Sequence, residues 1–330
     1  MSEMSKAPAP VSVVIPAHNH EAFIAQAIES VRAQTVPVAE ILLIDDGSTD
    51  QTAEIAQRMG VRVIRHTKAG LAANRNRCVR ESTQPWIAFI DSDDVWEPNK
   101  IETQMRIAEC DPEIALVTCD YSTFDGDEIF SASVLESYVN GYRAQSKTEC
   151  EGGAIIENLD ESFTGIAYFL VPSLVIVRRD LLERTGLFDE SLFNAEDFDC
   201  FMRVWAKSKL GFAEQVLAKR REHAHNHSRI FILATTGALA ATLKVLKHPE
   251  LYPPATVGLC RAWLPANLRH AGARLVWSGQ TERGRNLLRE SARLEFSLRT
   301  ILALGAAAFP PRLGCELMKA RYYISRRFGI

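Results

Sequence analysis

The sequence predicts an α/β fold in which a mostly parallel β-sheet carries helices on both faces and an α-helical region follows it. Over the first 120 residues, short uninterrupted apolar segments alternate with segments of helical periodicity, a pattern typical of buried parallel strands separated by helices. After Ser228 the pattern becomes almost wholly helical. We therefore divide the chain into a flexible N-terminus (1–10), an α/β domain (11–228) and a helical C-terminal region (229–330).

The predicted elements follow one another along the chain. Apolar segments predict strands over 11–15, 41–44, 61–64, 86–90, 173–177 and 210–218. Helical spacing predicts helices over 23–31, 52–59, 71–81, 98–109, 180–185, 196–207, 263–278 and 282–295. Residues 121–165 are rich in Gly, Ser, Asp and Tyr, and we interpret them as loops or short elements, the natural place for a variable substrate-binding insert.

Composition excludes several classes of protein. With 47% apolar and 24% charged residues, the 330-residue chain suits a globular protein with a sizeable core. No stretch approaches the roughly 20 apolar residues of a membrane-spanning helix, and the first ten residues lack the apolar core of a signal peptide, so we expect a cytoplasmic protein. The seven cysteines are scattered without a C-x-x-C pair, which argues against a disulfide framework or a zinc ribbon.

The net charge of −3 is the sum of two unlike parts. From Arg261 to residue 330 there are 13 Lys and Arg against 4 Asp and Glu, a net charge of +9, which leaves −12 for the rest. In this basic part arginines alternate with apolar residues such as Leu298 and Ile301, as in helices that lie on anionic membrane surfaces. A helical cap with solvated arginines is the alternative, whereas no recognition motif supports nucleic-acid binding.

Three of the predicted strands end in polar loops, namely 17–20 (AHNH), 45–50 (DDGSTD) and 91–94 (DSDD). The carboxyl ends of parallel strands lie at one edge of a sheet, where such sheets bind ligands, so these loops define a candidate site. Within it Asp46 is suited to accept hydrogen bonds from a ribose or base, or else belongs to a simple turn with Gly47. The chain contains neither G-x-G-x-x-G nor a P-loop motif, so a Rossmann-type dinucleotide site and a P-loop are unsupported.

Asp91, Asp93 and Asp94 make the third loop strongly acidic. Neighbouring carboxylates repel one another, and Mg²⁺ or Mn²⁺ prefers one or two of them together with substrate phosphates, so the loop predicts a metal–phosphate site. The alternatives are a helix cap by Asp94 and a haloacid-dehalogenase-type phosphatase, whose D-x-D-x-V pattern residues 91–95 also satisfy. A calcium EF-hand is rejected because Trp96 occupies the position that requires glycine.

Five separated motifs together resemble the family 2 inverting glycosyltransferases. Four of them resemble the half of that family that binds the nucleotide sugar: VSVVIPAHNHEAFIAQAIESVRAQT, ILLIDDGSTDQT, AGLAANRNRCV and WIAFIDSDDVWEPNKIETQ. The fifth, LLERTGLFDESLFNAEDFDCFMRVW, resembles the acceptor half. The resemblance covers residues 11–228 and implies a GT-A fold, a nucleotide-diphosphate sugar donor and a divalent metal, Mg²⁺ or Mn²⁺.

The resemblance assigns roles to individual residues. Those that match positions contacting the donor are Pro16, Ala17, Asn19, Asp46, Arg75, Asn76 and Asp91. Asp91 and Asp93 match the D-x-D motif, and Asp93 is the first choice for the metal. Asp197 matches the general base, with Glu196 beside it on the acceptor side. Without the resemblance, the acids of this segment would equally suit the N-terminus of a helix.

His223, His225 and His227 alternate beside Arg221 and Ser228. The family often has an Arg/His and Ser segment here that closes over the diphosphate. We therefore expect Arg221 and Ser228 to contact the donor, and His223 to contact the diphosphate or the metal. A zinc site has no evident fourth ligand, and a solvated surface is the alternative reading.

The implied reaction is transfer of a sugar, with inversion, from the nucleotide-diphosphate donor to an acceptor hydroxyl. The resemblance implies a glycan or a lipid-linked acceptor in cell-surface polysaccharide or glycolipid biosynthesis, and attachment at the inner face of the cell membrane would suit such an acceptor. The contrasting hypothesis is a binding module that kept the fold and lost activity. The joint presence of Asp46, Asp91, Asp93 and Asp197 argues against it.

Overall fold

A single mixed β-sheet organises the larger part of the structure, a computed structural model that describes residues 7–223, 231–295 and 297–308. Its strands are β1 (Ala9–Ala17), β2 (Val38–Asp45), β3 (Arg62–Arg65), β4 (Trp86–Phe89), β5 (Val95–Trp96), β6 (Ile114–Asp125), β7 (Glu128–Ser131), β8 (Lys147–Cys150), β9 (Gly153–Ile156), β10 (Ile176–Arg178) and β11 (Lys209–Arg221). The main path runs β3-β2-β1-β4-β10-β6-β11-β9-β8, while β5 pairs with β11 and β7 pairs with β6.

The sheet is parallel where the sequence predicts parallel strands. β1 pairs in parallel with β2 and β4, and β2 pairs in parallel with β3. β10 runs antiparallel to both of its neighbours, β4 and β6, and β6 is parallel to β11. The loops that follow β1, β2 and β4 therefore emerge at the same edge, which places the three polar loops together.

Seven helices accompany this sheet in the part of the chain that the structure describes. They are α1 (Ile24–Arg32), α2 (Thr52–Arg58), α3 (Leu71–Glu81), α4 (Lys100–Glu109), α5 (Val139–Arg143), α6 (Arg179–Arg184) and α7 (Glu196–Trp205). Each helix predicted before residue 210 is confirmed to within a few residues. α3 packs on β1 and β2, and α4 packs on β6 and β11. Apolar side chains on β1 such as Val13 and Ile15 are fully buried, as expected for a sheet with helices on both faces.

The prediction of loops or short elements over 121–165 is confirmed for the short elements. β6 continues to Asp125, and β7, α5, β8 and β9 follow it within that segment. Ser122 and Thr123, two polar residues at the start of this segment, are buried within β6. Asp120, which precedes them on β6, is 1% exposed and accepts hydrogen bonds from the Leu135 amide (2.9 Å) and the Ser133 hydroxyl (2.6 Å). A polar residue whose partner lies in a distant loop cannot be recognised as part of a strand from its own neighbours.

Contacts between Cα atoms divide the described residues into two compact units. One contains the described residues of Met1–His223 with Glu250–Ala255, and the second contains those of Ala224–Pro249 with Thr256–Ile330. The second unit is helical, as expected for the C-terminal region. The helices after residue 230 are α8 (Phe231–Lys247), α9 (Pro254–Trp277), α10 (Thr281–Leu294) and α11 (Leu298–Ala308).

The predicted helical hairpin is confirmed, although its first helix is longer than expected. α9 begins at Pro254 and includes Pro265, which sequence analysis placed near the start of the helix. Gly279, with φ of 88°, turns the chain into α10. A Cβ atom on Gly272 would lie 2.9 Å from the Gly284 carbonyl oxygen, so glycine is required where these two helices pack. Among the described residues, no helix is both long and apolar enough to span a membrane.

Candidate functional site

The loop after β1 is joined to the loop after β2 by Asn19. Its Oδ1 atom accepts a hydrogen bond from the Thr49 amide (2.8 Å), and its own amide donates to Ser48 Oγ (2.9 Å). Asn19 has φ of 56°, a left-handed conformation that asparagine tolerates better than most residues. Pro16 and Ala17 are buried at the end of β1 just before it. The predicted donor loop is therefore held in one shape by its neighbour.

Asp46 fixes a third segment to this edge. Its two carboxylate oxygens accept hydrogen bonds from the amides of Ala69 (2.8 Å) and Gly70 (3.0 Å), immediately before α3. Its own amide donates to the Ala17 carbonyl (2.9 Å). Each carboxylate oxygen retains a second lone pair, so the predicted contact of Asp46 with the donor base stays a prediction.

Arg75 joins the acidic loop after β4 to the start of α7. One guanidinium nitrogen donates to Glu196 Oε1, and the other donates to Asp91 Oδ1 at 3.2 Å. Arg75 is only 3% exposed, and its guanidinium lies over the Phe188 ring at 5.8 Å. Although burial acts against its charge, the nearby Asp91, Glu196 and Asp197 raise the pKa of Arg75, so it stays protonated. Glu196, which was predicted on the acceptor side, is only 3% exposed, and its Oε1 atom accepts the hydrogen bond from Arg75.

Asn76, the next residue on α3, holds a different segment. Its amide nitrogen donates to the Phe188 carbonyl and to Glu190 Oε1, both at 2.9 Å, and its oxygen accepts from the Phe188 amide at 2.9 Å. These bonds use both ends of the buried amide. Asn76 therefore positions the segment that contains Phe188 and Glu190, and its predicted contact with the donor stays a prediction.

Asp197 lies in the first turn of α7, beside the Arg75 bridge. Burial, followed by the charge of Glu196, raises the pKa of Asp197 to about 6, while Arg75 acts in the opposite direction. Ala195, which precedes the helix, has φ of 61°, a strained conformation for a residue other than glycine. A partly exposed carboxylate with a pKa near neutral pH has the properties of a general base.

A buried network behind α7 holds this turn, and sequence analysis missed it. Asp199 pairs with Arg203 at 2.7 Å and accepts a hydrogen bond from the Tyr252 hydroxyl. Arg203 donates in turn to the carbonyls of Thr185 and Leu187, at the other end of the segment that leads to Asp197. No signal in the sequence links Tyr252 to a residue more than fifty positions earlier.

The D-x-D carboxylates have different partners. Asp91 is the more accessible, with a side chain that is 32% exposed and that contacts Arg75. Asp93 is buried and lies 3.0 Å from His223 Nε2. Burial and the charge of Asp93 raise the pKa of Asp94 to about 8, so Asp94 adds little negative charge at neutral pH. Its Oδ1 atom accepts the Arg221 amide at 2.9 Å rather than capping α4.

Arg221 and His223, at and just after the end of β11, contact Asp93 in the acidic loop after β4. Arg221 donates from Nε to the Asp93 carbonyl (3.0 Å), and its guanidinium lies between the rings of Phe23 (4.9 Å) and Phe124 (4.4 Å). The His223 ring stacks on Phe23 with a centroid separation of 4.9 Å. Phe23, read in the sequence only as one apolar position of a helix, thus positions two predicted donor residues. Ser228, like His225 and His227, lies outside the described residues.

Asp91, Asp93 and His223 do not form a three-ligand group in the structure, and the predicted metal site stays a prediction. Across the described ranges, no three His, Cys, Asp or Glu side chains lie together in a metal-binding arrangement. Asp91 is directed to Arg75 and Asp93 is directed to His223, which explains this result. The two carboxylates still provide hard oxygen ligands of the kind that Mg²⁺ and Mn²⁺ prefer, in the number expected when phosphate oxygens complete the site.

A large cavity lies at the opposite edge of the sheet. It has a volume of about 760 Å³ and is lined at its rim by Pro112, Lys209 and Arg178, where β6 and β11 begin and β10 ends. Its cations are largely neutralised, since Arg178 pairs with Asp180 and Lys209 pairs with Asp111. None of the predicted site residues that the structure describes lines this cavity.

Comparison with known proteins agrees with this arrangement. The sequence profile described as glycosyl transferase family 2 matches residues 12–185, more than half of the chain. An uncharacterized glycosyltransferase of Rickettsia prowazekii, RP339, is 29% identical over 219 residues, which cover 65% of this chain and 64% of that protein. The putative glycosyltransferase EpsH of Bacillus subtilis is 37% identical over 135 residues, which cover 39% of each. The matches thus span less than two thirds of these relatives.

Two solved structures share the fold. TarS 1–349 of S. aureus in complex with UDP-GlcNAc is 17% identical, with a TM-score of 0.66, and the match covers 97% of this chain and 92% of that one. The mannosyltransferase PcManGT of Pyrobaculum calidifontis, in complex with GDP-Man and Mn²⁺, is 17% identical, with a TM-score of 0.56 and coverage of 98% and 90%. The expected GT-A fold is confirmed, and this chain belongs to glycosyl transferase family 2.

Proposed function

We propose that the protein transfers a sugar from a nucleotide-diphosphate sugar to an acceptor hydroxyl, with inversion at the anomeric carbon. The observation that carries the proposal is the Glu196–Arg75–Asp91 bridge, which brings the turn of Asp197 next to the acidic loop after β4. A base and a diphosphate-binding loop at one edge are what this reaction requires. The structural neighbours that bind UDP-GlcNAc and GDP-Man support a donor of this class.

Asp197 acts as the general base in this mechanism. The acceptor hydroxyl is a weak nucleophile, and Asp197 accepts its proton as the oxygen attacks the anomeric carbon. The new carbon–oxygen bond forms on the face opposite the diphosphate, whose bond to the same carbon breaks. Because the pKa of Asp197 is about 6, most of this carboxyl is ionised and able to accept a proton at neutral pH.

Asp91 and Asp93 would hold a divalent cation at the diphosphate. Such a cation supplies Lewis acidity that offsets the charge developing on the leaving group. Arg221 and His223 hold the Asp93 backbone and carboxylate, respectively, in place for this contact. Pro16, Ala17, Asn19 and Asp46, which lie at the same edge of the sheet, are the residues that we propose to contact the donor.

Release of nucleoside diphosphate tests the proposal. With UDP-GlcNAc, GDP-Man and related donors, we expect release from at least one donor with Mn²⁺, and loss of release with EDTA. Electron paramagnetic resonance of Mn²⁺ with UDP or GDP should show at least about tenfold weaker metal binding in Asp93→Ala, because one of two carboxylate ligands is removed. Asp180→Asn on exposed α6 is the control. Equal Mn²⁺ binding in both variants would contradict the metal assignment.

The phosphatase alternative is not supported by the comparisons, because the family 2 profile spans the D-x-D segment in its entirety.

An inactive binding module remains distinguishable by experiment. It would bind UDP or GDP and would release no nucleoside diphosphate from any donor. The bridge between Arg75 and two carboxylates favours an active site, since a buried ion network of this kind is costly to maintain.

We also propose that the helical unit attaches a cytoplasmic enzyme to the inner face of the cell membrane, where a glycan or lipid-linked acceptor is elongated for a cell-surface polysaccharide or glycolipid. On α11, Leu298 (69% exposed), Ile301 and Leu302 (52% exposed) lie on one face at helical spacing. Exposed apolar residues on a helix within a basic segment suit an anionic lipid surface.

Replacing these three residues by serine should weaken co-sedimentation with phosphatidylglycerol vesicles by at least about tenfold, because their apolar area would no longer be buried in lipid. Replacing exposed Leu243 on α8 by serine is the control. Equal sedimentation of the triple variant and the wild-type protein would favour the helical-cap alternative. Donor turnover in solution should change by less than about twofold in either variant.

A further inference from the structure

A stacked pair of tyrosines projects from the segment between β7 and β10. The rings of Tyr138 and Tyr168 lie with centroids 5.2 Å apart and planes inclined by 22°. Tyr168 is 52% exposed, whereas Tyr138 is partly buried beneath it. A Cβ atom on Gly165 would lie 2.2 Å from the Tyr138 ring, so the ring rests directly on the backbone of that glycine. An exposed aromatic ring with this much support behind it is built for contact with a ligand.

The pair is anchored on β6 from both sides. The Thr118 hydroxyl donates to the Phe169 carbonyl, which fixes the segment that carries Tyr168. The Asp120 carboxylate accepts the Leu135 amide at 2.9 Å, which fixes the turn that carries Tyr138. The two rings are therefore held by the same strand and do not depend on each other alone for their position.

The same strand connects the pair to the acidic loop. Tyr121 follows Asp120 on β6, and the Arg220 guanidinium lies 5.4 Å from the Tyr121 ring with a nitrogen 3.5 Å from its hydroxyl. Although burial acts against the charge of Arg220, Asp91 is among the groups whose charge raises its pKa. Tyr121 and Tyr168 contribute to raising the pKa of Tyr138 to about 12, after burial. The three phenols thus cluster, and Arg220 links them electrostatically to the D-x-D loop.

Ring faces beside hydroxyl and guanidinium groups match one ligand chemistry in particular. A pyranose ring presents C–H groups on one face and hydroxyls along its rim. The C–H groups are attracted to the negative face of an aromatic ring, while phenols and a guanidinium bond the hydroxyls. A bound hydrocarbon chain would offer no hydrogen-bond partner to the phenol and guanidinium groups.

We infer that Tyr168, backed by Tyr138, forms an acceptor subsite that binds a pyranose ring, so that the acceptor is a glycan and its recognised part is a sugar. The inference rests on the proposed function, because it identifies the acceptor of that reaction. Tyr121 and Arg220 lie between this subsite and the acidic loop. The sugar stacked on Tyr168 is accordingly distinct from the sugar of the donor.

A glycan microarray probed with the full chain and UDP or GDP tests the inference. We expect binding to pyranose glycans that is at least about tenfold weaker in Tyr168→Ala, the loss expected for one stacking contact, and less weakened in Tyr168→Phe, which keeps the ring and loses only its hydroxyl. Phe130→Ala removes an aromatic ring of similar exposure on β7 and is the matched control. Gly165→Ala, which would displace Tyr138, should resemble Tyr168→Ala.

Three outcomes would overturn the subsite, two of them in glycan binding and one in vesicle binding. One is failure of the wild-type protein to bind any pyranose glycan, and the other is glycan binding that Tyr168→Ala leaves unchanged. Loss of vesicle binding in Tyr168→Ala would assign the ring to lipid instead and would also overturn it. Calorimetric titration of UDP and GDP into each variant separates this result from the proposed function, because nucleotide affinity should stay within about twofold.

Discussion

Asp197→Asn is expected to lower the turnover number for sugar transfer by at least about a hundredfold while it changes nucleotide affinity by less than about twofold. The amide cannot accept the proton of the acceptor hydroxyl, and general-base catalysis contributes on the order of a hundredfold to ten-thousandfold. Nucleotide binding depends on other residues of the edge, so it should persist. Steady-state release of nucleoside diphosphate and calorimetric titration of UDP and GDP measure the two effects.

The pH dependence gives this prediction a second readout. In the wild-type protein, transfer should rise with pH through about 6 and level off above it, since the ionised form of Asp197 is the base that we propose. A raised pKa also means that the ionised carboxylate costs folding stability at neutral pH. Asp197→Asn should therefore raise the melting temperature at pH 7.5, with the gain lost below about pH 4, where the carboxyl is protonated in both states. If Asp197→Asn transferred the sugar as fast as the wild-type protein, Asp197 would not be the general base.

Arg75→Ala is expected to destabilise the protein by about 3 to 5 kcal/mol and to abolish transfer. Removing the cation leaves Glu196 buried without its partner and frees Asp91 from its contact, and an uncompensated buried charge carries a cost of this order. Arg75→Lys should recover part of the stability and little activity, because an ammonium group lacks the fork that reaches both carboxylates. Urea unfolding and nucleoside diphosphate release provide the measurements.

Arg80→Ala is the matched control for this prediction, because Arg80 lies on the same helix with its side chain exposed. It should unfold within about 0.5 kcal/mol of the wild-type protein, as surface substitutions usually do. An Arg75→Ala variant of equal stability would show that the bridge does not organise the site. If the variant proves too unstable to purify, Arg75→Lys still tests activity at measurable stability.

The sequence predicts this site where residues are close along the chain and share a strand end. Asp46 and Asp91 could be placed at one edge because β1, β2 and β4 are apolar, short and parallel, and because each ends in a polar loop. The acidic start of α7 could be recognised in the same way. In these cases local pattern and topology agree, which is the condition under which a sequence is informative.

What could not be predicted depends on contacts between distant residues. Glu196 was assigned to the acceptor, yet it pairs with Arg75, which lies 121 positions earlier. The packing of Arg221 and His223 on Phe23 was not predicted, whereas their expected contact with the diphosphate stays a prediction. Tyr252 belongs to the short segment Glu250–Ala255, which rejoins the first unit after the chain has left it, and its hydroxyl donates a hydrogen bond to Asp199. Charge and hydropathy patterns describe which residues are polar, but the partner of a buried charge is fixed by tertiary packing.

The anomeric configuration of the first product tests the central claim most directly. Proton NMR during turnover of an α-linked nucleotide sugar, recorded before mutarotation or a second transfer, should show a β-linked product in the wild-type protein and no product in Asp197→Asn. This result is expected because the acceptor oxygen attacks opposite the departing diphosphate with Asp197 as its base. An α-linked product, or a β-linked product formed equally fast by Asp197→Asn, would contradict the mechanism.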